Sequence, residues 1–378
     1  MPIDQCRVCG RAFFEQPLLR YDDMPKAAQF LPTAETLGSD RGVDLEVRQC
    51  SGCGLVQLSN DPVSYYREVI RAAACSEEMK GFRGKQFAEF TQRFSLRGKK
   101  VLEIGCGRGE FLSLMQEAGA NAYGLEYAEE SVAHCVAEGR KVFRGFMESG
   151  QPRLPDAPFD AFFILNFLEH IPDLNTALWK IRENLADDAV GLVEVPNFDM
   201  ILRSKLFSEF IGDHLFYFTE ETLTSTLRRN GFEIVACGEV WHDYILSAVV
   251  RKRKPLDIST FCDHQAKLKK DVAEYVRRFG PGRVAVWGAG HQALAVLSLL
   301  DLSDKIRYVV DSAPFKQGKY TPATHLRIVP PDILESDPVD AVLVMAASYS
   351  DEVAGILRRK FGHNVVVAIL RDFGLEII

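Results

Sequence analysis

The sequence predicts an α/β protein with two parallel-sheet blocks behind a small cysteine-bearing β module. Three observations carry this expectation. From Lys99 to about Arg253, apolar strands alternate with helical patterns, the signature of a doubly wound sheet covered on both faces. A second series of strand, Gly-x-Gly and helix opens at Arg283. The stretch up to about Pro62 is rich in Cys, Gly and turn formers and carries two Cys-x2-Cys pairs. At 378 residues the chain has room for two or three domains of ordinary size. Its 47% hydrophobic and 26% charged residues are those of a soluble globular protein. A formal charge of −7 argues against nucleic acid or an anionic membrane surface as the main partner. No apolar run is long enough to cross a bilayer, and the N-terminus passes through Asp4 and Cys6 without a charged-then-apolar leader, so a cytoplasmic location is expected.

The elements fall into three domains, 1–63, 64–254 and 255–378. In the first, the short alternating runs 43–48 and 54–58 read as a β-ribbon with little core of its own, a module that needs a staple. Residues 64–94 then have helical periodicity, with Met79, Phe82, Phe87, Phe90 and Phe94 three to five residues apart. The best strands of the middle block are 101–104, 122–125, 161–165 and 190–195. Runs 232–241 and 244–252 lie too close for a helical crossover and read as a hairpin closing the sheet. Four positive charges and a proline, Arg251-Lys252-Arg253-Lys254-Pro255, end that strand and mark an exposed link. The last block has later strands at 307–310, 341–345 and 365–370.

Cys6, Cys9, Cys50 and Cys53 form two knuckles forty residues apart. Thiolates favour tetrahedral zinc, and two Cys-x2-Cys turns can close a shell of four sulfurs with no open position for water, so the expected metal is structural Zn2+. The alternative is two unrelated turns with buried thiols. A thioredoxin-like pair is disfavoured, because neither pair sits between a strand and a helix. Cys75, Cys106, Cys135, Cys237 and Cys262 are singletons, read as packing residues.

The loop Glu103-Ile104-Gly105-Cys106-Gly107-Arg108-Gly109 follows the first strand of the middle block. Its glycines allow a sharp turn and close approach of an adenosyl ligand. Gly-x-Gly-x-Gly alone does not separate a methyl donor from a dinucleotide. Glu126, ending the next strand, is the acid expected on the ribose hydroxyls, with Tyr127 beside it, and Asn166 ends a later strand just before Phe167-Leu168-Glu169-His170-Ile171-Pro172-Asp173. All lie at carboxyl ends of strands, where ligands bind in such sheets. The pattern favours S-adenosylmethionine held by Glu103, Gly105, Cys106, Gly107, Gly109, Glu126, Tyr127 and Asn166, with a nicotinamide cofactor as the alternative.

With these residues in hand, nearly the whole chain resembles the three-domain sugar C-methyltransferases, which join a zinc-binding domain, a class I methyltransferase core and a Rossmann-like C-terminal domain. The resemblance rests on Cys6-x2-Cys9, the run Cys50-x2-Cys53-Gly-Leu-Val-Gln-Leu58, the Glu103 loop, Gly212-Asp213-His214 before Phe216-Tyr217-Phe218, and Asp311 through Lys316-Gln-Gly-Lys-Tyr320 with Thr324-His325. It implies that a base removes the proton beside a ketone of a nucleotide-linked sugar and that the enolate carbon takes the methyl group. It also implies catalytic roles for His214, with Asp213 beside it, and for His170. The C-terminal Gly288-Ala289-Gly290-His291 loop, which with Asp311 about twenty residues on would also pass a loose dinucleotide test, would then help hold the nucleotide part of the acceptor, with His291 and Lys316 as candidates; bound NAD and a purely structural turn stay open.

The departures bear on the acceptor. Ile211-Gly212 stands where the family carries a tyrosine, Met24-Pro25-Lys26-Ala27-Ala28-Gln29-Phe30 replaces a Pro-Leu-Ala-Asn-like stretch, and the segment from Arg71 to Glu78 has no tyrosine. Tyr65, Tyr66 or Tyr217 could stand in for the missing hydroxyl. O-methylation of a sugar or another small molecule stays open as a second reading, and a non-catalytic zinc-and-nucleotide module as a third.

Overall fold

The computed structural model describes residues 3–29, 31–68 and 76–378. Phe30, Arg71 and Cys75, each weighed above, lie outside the described residues. The chain forms two compact units, Met1–Pro255 and Leu256–Ile378.

In the first unit, strands β1 (Leu19–Met24), β2 (Val43–Gln49) and β3 (Val56–Leu58) make an antiparallel ribbon behind the cysteine knuckles. Helix α1 (Glu77–Arg93) follows, and then the core runs β4 (Lys100–Ile104), α2 (Glu110–Glu117), β5 (Asn121–Glu126), α3 (Glu129–Ala137) and β6 (Lys141–Arg144). It continues through β7 (Phe159–Leu165), α4 (Leu174–Glu183), β8 (Leu185–Pro196), α5 (Phe198–Ser204), β9 (Phe216–Tyr217), α6 (Glu220–Arg229), β10 (Phe232–Val240) and β11 (Ile245–Lys252). The sheet order is β6-β5-β4-β7-β8-β11-β10, parallel through β8, with β11 antiparallel to β8 and to β10. That is the doubly wound methyltransferase arrangement implied by the resemblance, closed by the expected hairpin. The order reverses between β4 and β7, which opens a crevice at their carboxyl ends.

Short polar residues set the helix starts. Ser76 accepts from the Met79 amide at 3.1 Å, Asp173 from Thr176 at 3.1 Å, and Asn197 from both Asp199 and Met200, each satisfying amides that have no partner within the helix. Helix α1 begins at Glu77, whereas the periodicity extended it back to residue 64; the chain at Tyr66–Glu68 makes a 3-10 turn instead. The aromatics divide as helical spacing requires. Phe87 and Phe90 pack on Phe111, Leu112 and Phe163, while Phe82 lies against Trp241 in the hairpin turn.

The cysteine module does not stand apart. Its sheet has the order β1-β2-β3-β9, so the fourth strand is donated by the core. Cys6, Val8, Phe13 and Cys50 are buried in one continuous core with Leu174, Phe216 and Phe218, and Leu45, Val47 and Leu58 pack on Phe198, Phe210 and Tyr217. A β-ribbon too small to bury its own apolar face thus borrows a wall.

The second unit comprises α7 (Ser259–Arg277), β12 (Val284–Trp287), α8 (His291–Leu299), β13 (Ile306–Val310), β14 (Ile328–Val329), α9 (Ile333–Ser336), β15 (Ala341–Val344), α10 (Ser350–Phe361), β16 (Val366–Arg371) and β17 (Gly374–Ile377). Its sheet, β14-β13-β12-β15-β16-β17, is parallel apart from the last strand.

Beneath α1, Arg83 forms a buried ion pair with Glu194 of β8; the two side chains are 2% and 0% exposed. Gln86 completes the cluster, accepting from Arg83 at 2.7 Å and donating to Glu194 at 2.5 Å. Removing one partner leaves the other charge buried without compensation, which costs about 3–5 kcal/mol. Arg83→Met is therefore expected to destabilise the first unit by that amount in urea titrations, and Arg83→Met with Glu194→Met to recover most of the loss.

Candidate active site

Strand β4 delivers the glycine loop to the crevice. Gly105 and Cys106 both donate to the Leu125 carbonyl, at 2.9 and 3.2 Å, which folds the loop against β5. At Gly105, with φ +71°, an added Cβ would lie 2.7 Å from the Phe167 ring, so only glycine fits there. Gly107, with φ +54°, has nothing within 4 Å of its Cβ position; it faces the free space an adenosyl ligand needs. Gly109, also left-handed, is the residue before α2. The loop therefore keeps the backbone freedom and the open approach that a bound methyl donor requires.

Glu126 ends β5 with its carboxylate turned onto backbone amides: Oε2 accepts from Gly107 at 2.9 Å, and Oε1 from Tyr127 at 2.9 Å and Ala128 at 2.8 Å. Burial raises its pKa, and the three amides oppose that shift. The carboxylate expected on a ribose thus also ties the glycine loop to the start of α3. Glu103 is buried within β4, and Asn166 ends β7 in a left-handed conformation, its amide on Glu194 O. Tyr127 lines a pocket of about 360 Å3 with Ser64, Tyr65, Arg67 and Glu68. Arg67 pairs with Glu148 at 2.6 Å and sits 4.5 Å over the Tyr66 ring, a cationic wall on one side.

The two expected histidines meet. Their ring centres lie 4.8 Å apart in an edge-on arrangement. His170 Nδ1 is 2.7 Å from the Asp213 carbonyl. A carbonyl only accepts, so Nδ1 carries the proton and Nε2 is left with a lone pair. Burial pushes His170 down to about 4 and, with the neighbouring His170, His214 to about 3. Both rings are therefore neutral near neutrality and able to accept a proton. Glu169 is 1% exposed, and burial raises it to about 8.

Asp213, which the resemblance sets beside His214, is tied through both its carboxylate and its main chain. Its carboxylate accepts from Tyr65 Oη at 2.8 and 3.0 Å and from the Ala28 amide at 3.1 Å, while its main-chain carbonyl holds His170. Gly212 and Asp213 are the central residues of a turn closed by the His214 amide on the Ile211 carbonyl at 3.1 Å, and the acid and the histidine serve different neighbours. Of the three tyrosines weighed as stand-ins, Tyr65 meets this segment; Tyr217 Oη is bound to the Ile211 backbone and Tyr66 packs on Phe146. His242 is exposed in the hairpin turn beside Glu78.

The four cysteines converge. Cys6 Sγ lies 3.7 Å from Cys53 Sγ and Cys9 Sγ 3.3 Å from Cys50 Sγ, and all four sulfurs fall within 4.8 Å. A tetrahedral Zn–S4 shell, with bonds of about 2.3 Å, spaces its sulfurs about 3.8 Å apart. The Val8 and Cys9 amides point at Cys6 Sγ and the Gly52 and Cys53 amides at Cys50 Sγ, with Gln57 Nε2 adding a donor 3.2 Å from Cys6. Those donors favour thiolate, so the residues present fit a zinc ion.

In the second unit, Asp311 Oδ2 accepts from the Ala289 amide and from Lys316 Nζ, at 2.8 and 2.9 Å. The acid that would meet a dinucleotide ribose is engaged with its own glycine loop, and Lys316 with it. His291 is exposed at the start of α8.

Residues 79–237 match a family model described as a methyltransferase domain, and residues 254–369 match one described as a C-methyltransferase C-terminal domain. The C-methyltransferase NovU of Streptomyces niveus is 24% identical over 391 residues, spanning 93% of this chain and 91% of that protein. The chain is an S-adenosylmethionine-dependent methyltransferase with a C-methyltransferase C-terminal domain. A ubiquinone biosynthesis O-methyltransferase of Idiomarina loihiensis is 36% identical to this methyltransferase over 83 residues, 21% of this chain and 34% of that protein. The S-adenosylmethionine-dependent methyltransferase from Clostridium acetobutylicum is similar to it at 12% identity and a TM-score of 0.38, over 46% of this chain and 92% of that one. Among the described residues of the methyltransferase, no helix is long and apolar enough to cross a membrane.

Sequence reasoning missed Arg83, hidden inside an aromatic pattern, and gave Glu169 no role. The burial of the histidine pair has a consequence for stability. Below pH 6.5 the unfolded chain protonates both imidazoles while the folded protein resists until about 4 and 3, so stability from these groups is present above 6.5 and lost on acidification. Thermal midpoints of the methyltransferase are expected to fall between pH 6.5 and 4, and His214→Asn to flatten that fall.

Proposed function

We propose that this methyltransferase acts on carbon of a nucleotide-linked keto sugar, through an enolate generated at the histidine pair, in the cytoplasm. The observation that carries the reading is the pair itself: His170 and His214, 4.8 Å apart, held neutral by burial at the carboxyl end of the sheet. A hydroxyl acceptor can react with little more than orientation, whereas a C–H beside a ketone needs a base with a free lone pair. The relation to a C-methyltransferase along 93% of the chain supports the same choice, while the O-methyltransferase likeness is confined to 21% of it. Bound S-adenosylmethionine supplies an electrophilic methyl group. The chain's residues then have separate tasks. Glu103, Gly105, Cys106, Gly107, Gly109, Glu126, Tyr127 and Asn166 hold the donor, His214 accepts the proton from the acceptor carbon, and His170 and Asp213 fix its surroundings.

Cys6, Cys9, Cys50 and Cys53 are proposed to bind a structural Zn2+, with residues 1–63, 64–254 and 255–378 serving as zinc, donor and acceptor-binding domains. The metal's task is mechanical. It would stiffen the knuckles behind β3, and β3 carries β9, which begins two residues after His214. Removing the metal with a chelator, or replacing Cys50 and Cys53 by Ser, is expected to lower methyl transfer at least about tenfold while releasing about one equivalent of zinc.

The reading is tested by incubating the protein with S-adenosylmethionine and a panel of nucleotide-linked 4-keto sugars in deuterated water. Methyl gain at carbon, or deuterium entering beside the ketone before transfer, is the expected result. Methyl gain at oxygen without exchange would establish the O-methylation reading instead.

A further inference from the structure

We propose that Glu169 is the terminal proton acceptor of a buried relay that starts at His214 and passes through His170. The inference rests on the carbon-acceptor reading and adds to it the group that finally holds the abstracted proton.

The geometry begins with confinement. Glu169 is 1% exposed, and its Oε2 has no hydrogen-bond partner among the described residues. A carboxyl group left in that state costs free energy with no structural return, so a task in proton transfer accounts for its presence. Its other oxygen lies 3.9 Å from His170 Nε2. That nitrogen is the bare one, because Nδ1 is committed to the Asp213 carbonyl. His214 stands edge-on to His170, and the ligand atoms of all three residues fall within 4.8 Å of one another. The chain is fixed from behind as well, since the Glu169 carbonyl accepts from the Leu215 amide at 2.9 Å.

The proton balance then closes. The acceptor C–H bond breaks, its electron pair stays on the acceptor as the enolate, and the proton moves to the free nitrogen of His214. It passes to His170 Nε2 and on to Glu169 Oε1, turning a carboxylate into a neutral acid and restoring both neutral imidazoles. The 3.9 Å gap to Glu169 exceeds a hydrogen bond, and no hydrogen bond joins the two imidazoles among the described residues, so each hop needs an approach of about 1 Å or one bridging water. The direction is downhill: burial leaves the imidazoles weak bases, at about 3 and 4, and the carboxyl a strong one, at about 8. Among the described residues, Asp213 acts electrostatically on His214 and Tyr244 feels Glu169, while Tyr65 and Tyr217 face Asp213.

The test compares wild type with Glu169→Gln, which keeps the shape and removes the proton site. Infrared spectra of the resting protein should contain a protonated carboxyl band that titrates near pH 8 and is missing from Glu169→Gln; this arm needs no acceptor. With a ketone-bearing acceptor, kcat of the wild type should rise with pH through about 8, and Glu169→Gln should lose that rise and about 10²-fold in kcat with unchanged donor affinity by calorimetry. Glu169→Asp should keep the pH-dependent rise at a reduced rate, and serves if the Gln variant does not fold. A wild type active on ketones alongside a Glu169→Gln variant with the same pH profile and rate overturns the relay alone. A wild type that shows the band but neither exchanges nor methylates any ketone overturns the carbon-acceptor reading, and the relay with it. Metal analysis finding more than one equivalent, with the excess lost in His214→Asn, also overturns it, since the cluster is then a ligand set.

Discussion

Everything near the candidate base depends on how a few residues of extended chain are gripped from two sides. Leu58 of the cysteine module donates to the Leu215 carbonyl at 3.0 Å, and the Leu215 amide donates to the Glu169 carbonyl at 2.9 Å. One peptide neighbour earlier, the Asp213 carbonyl fixes the tautomer of His170; one later, Phe216 and Tyr217 complete the module's sheet. The acid–histidine segment is therefore a seam between the cysteine module and the core. Backbone hydrogen bonds are its main fasteners, and they are indifferent to side-chain identity, so side chains along the seam can vary without losing it.

Much of the architecture could be read from the sequence because it rests on periodicity and spacing. The strands of the middle block and its closing hairpin follow from apolar runs whose length and separation leave few alternatives, and the convergence of Cys6, Cys9, Cys50 and Cys53 follows from two tight knuckles. The glycine loop was visible for the same reason. What could not be read depends on direction in space. Asp213 and His214 are adjacent in the chain, but only the structure shows the turn that sends the carboxylate to Tyr65 and Ala28 and the carbonyl to His170. Arg83 sits in a helix whose aromatics dominate the pattern, and no local signal announces that Glu194, in a distant strand, lies beneath it. The residues that carry the helical spacing, Met79 to Phe94, all fall in α1 or at its cap, and nothing in that spacing marks the 3-10 turn at Tyr66–Glu68 as a separate element.

The site also separates two kinds of buried acid. Glu126 is surrounded by amide donors, so its charge is met by backbone dipoles and the carboxylate organises the loop. Glu169 has few donors, and burial favours its neutral form. The same residue type thus gives an acid braced by backbone donors at the glycine loop and an acid with few donors beside the histidines, with the difference set by the number of amides within reach.

The strand β9 has a further meaning when the chain is considered in order of synthesis. The cysteine knuckles emerge first and can close early, but the fourth place in their sheet is filled only when residues 216–217 arrive, after most of the core has been made. Until then β3 presents an unpaired edge, the kind of surface that recruits foreign strands. The early module is thus a template whose sheet is completed by a contact long-range in sequence, from β3 to residues 216–217. His214 lies two residues before β9, so the histidine pair and the module's sheet are completed by the same stretch of chain.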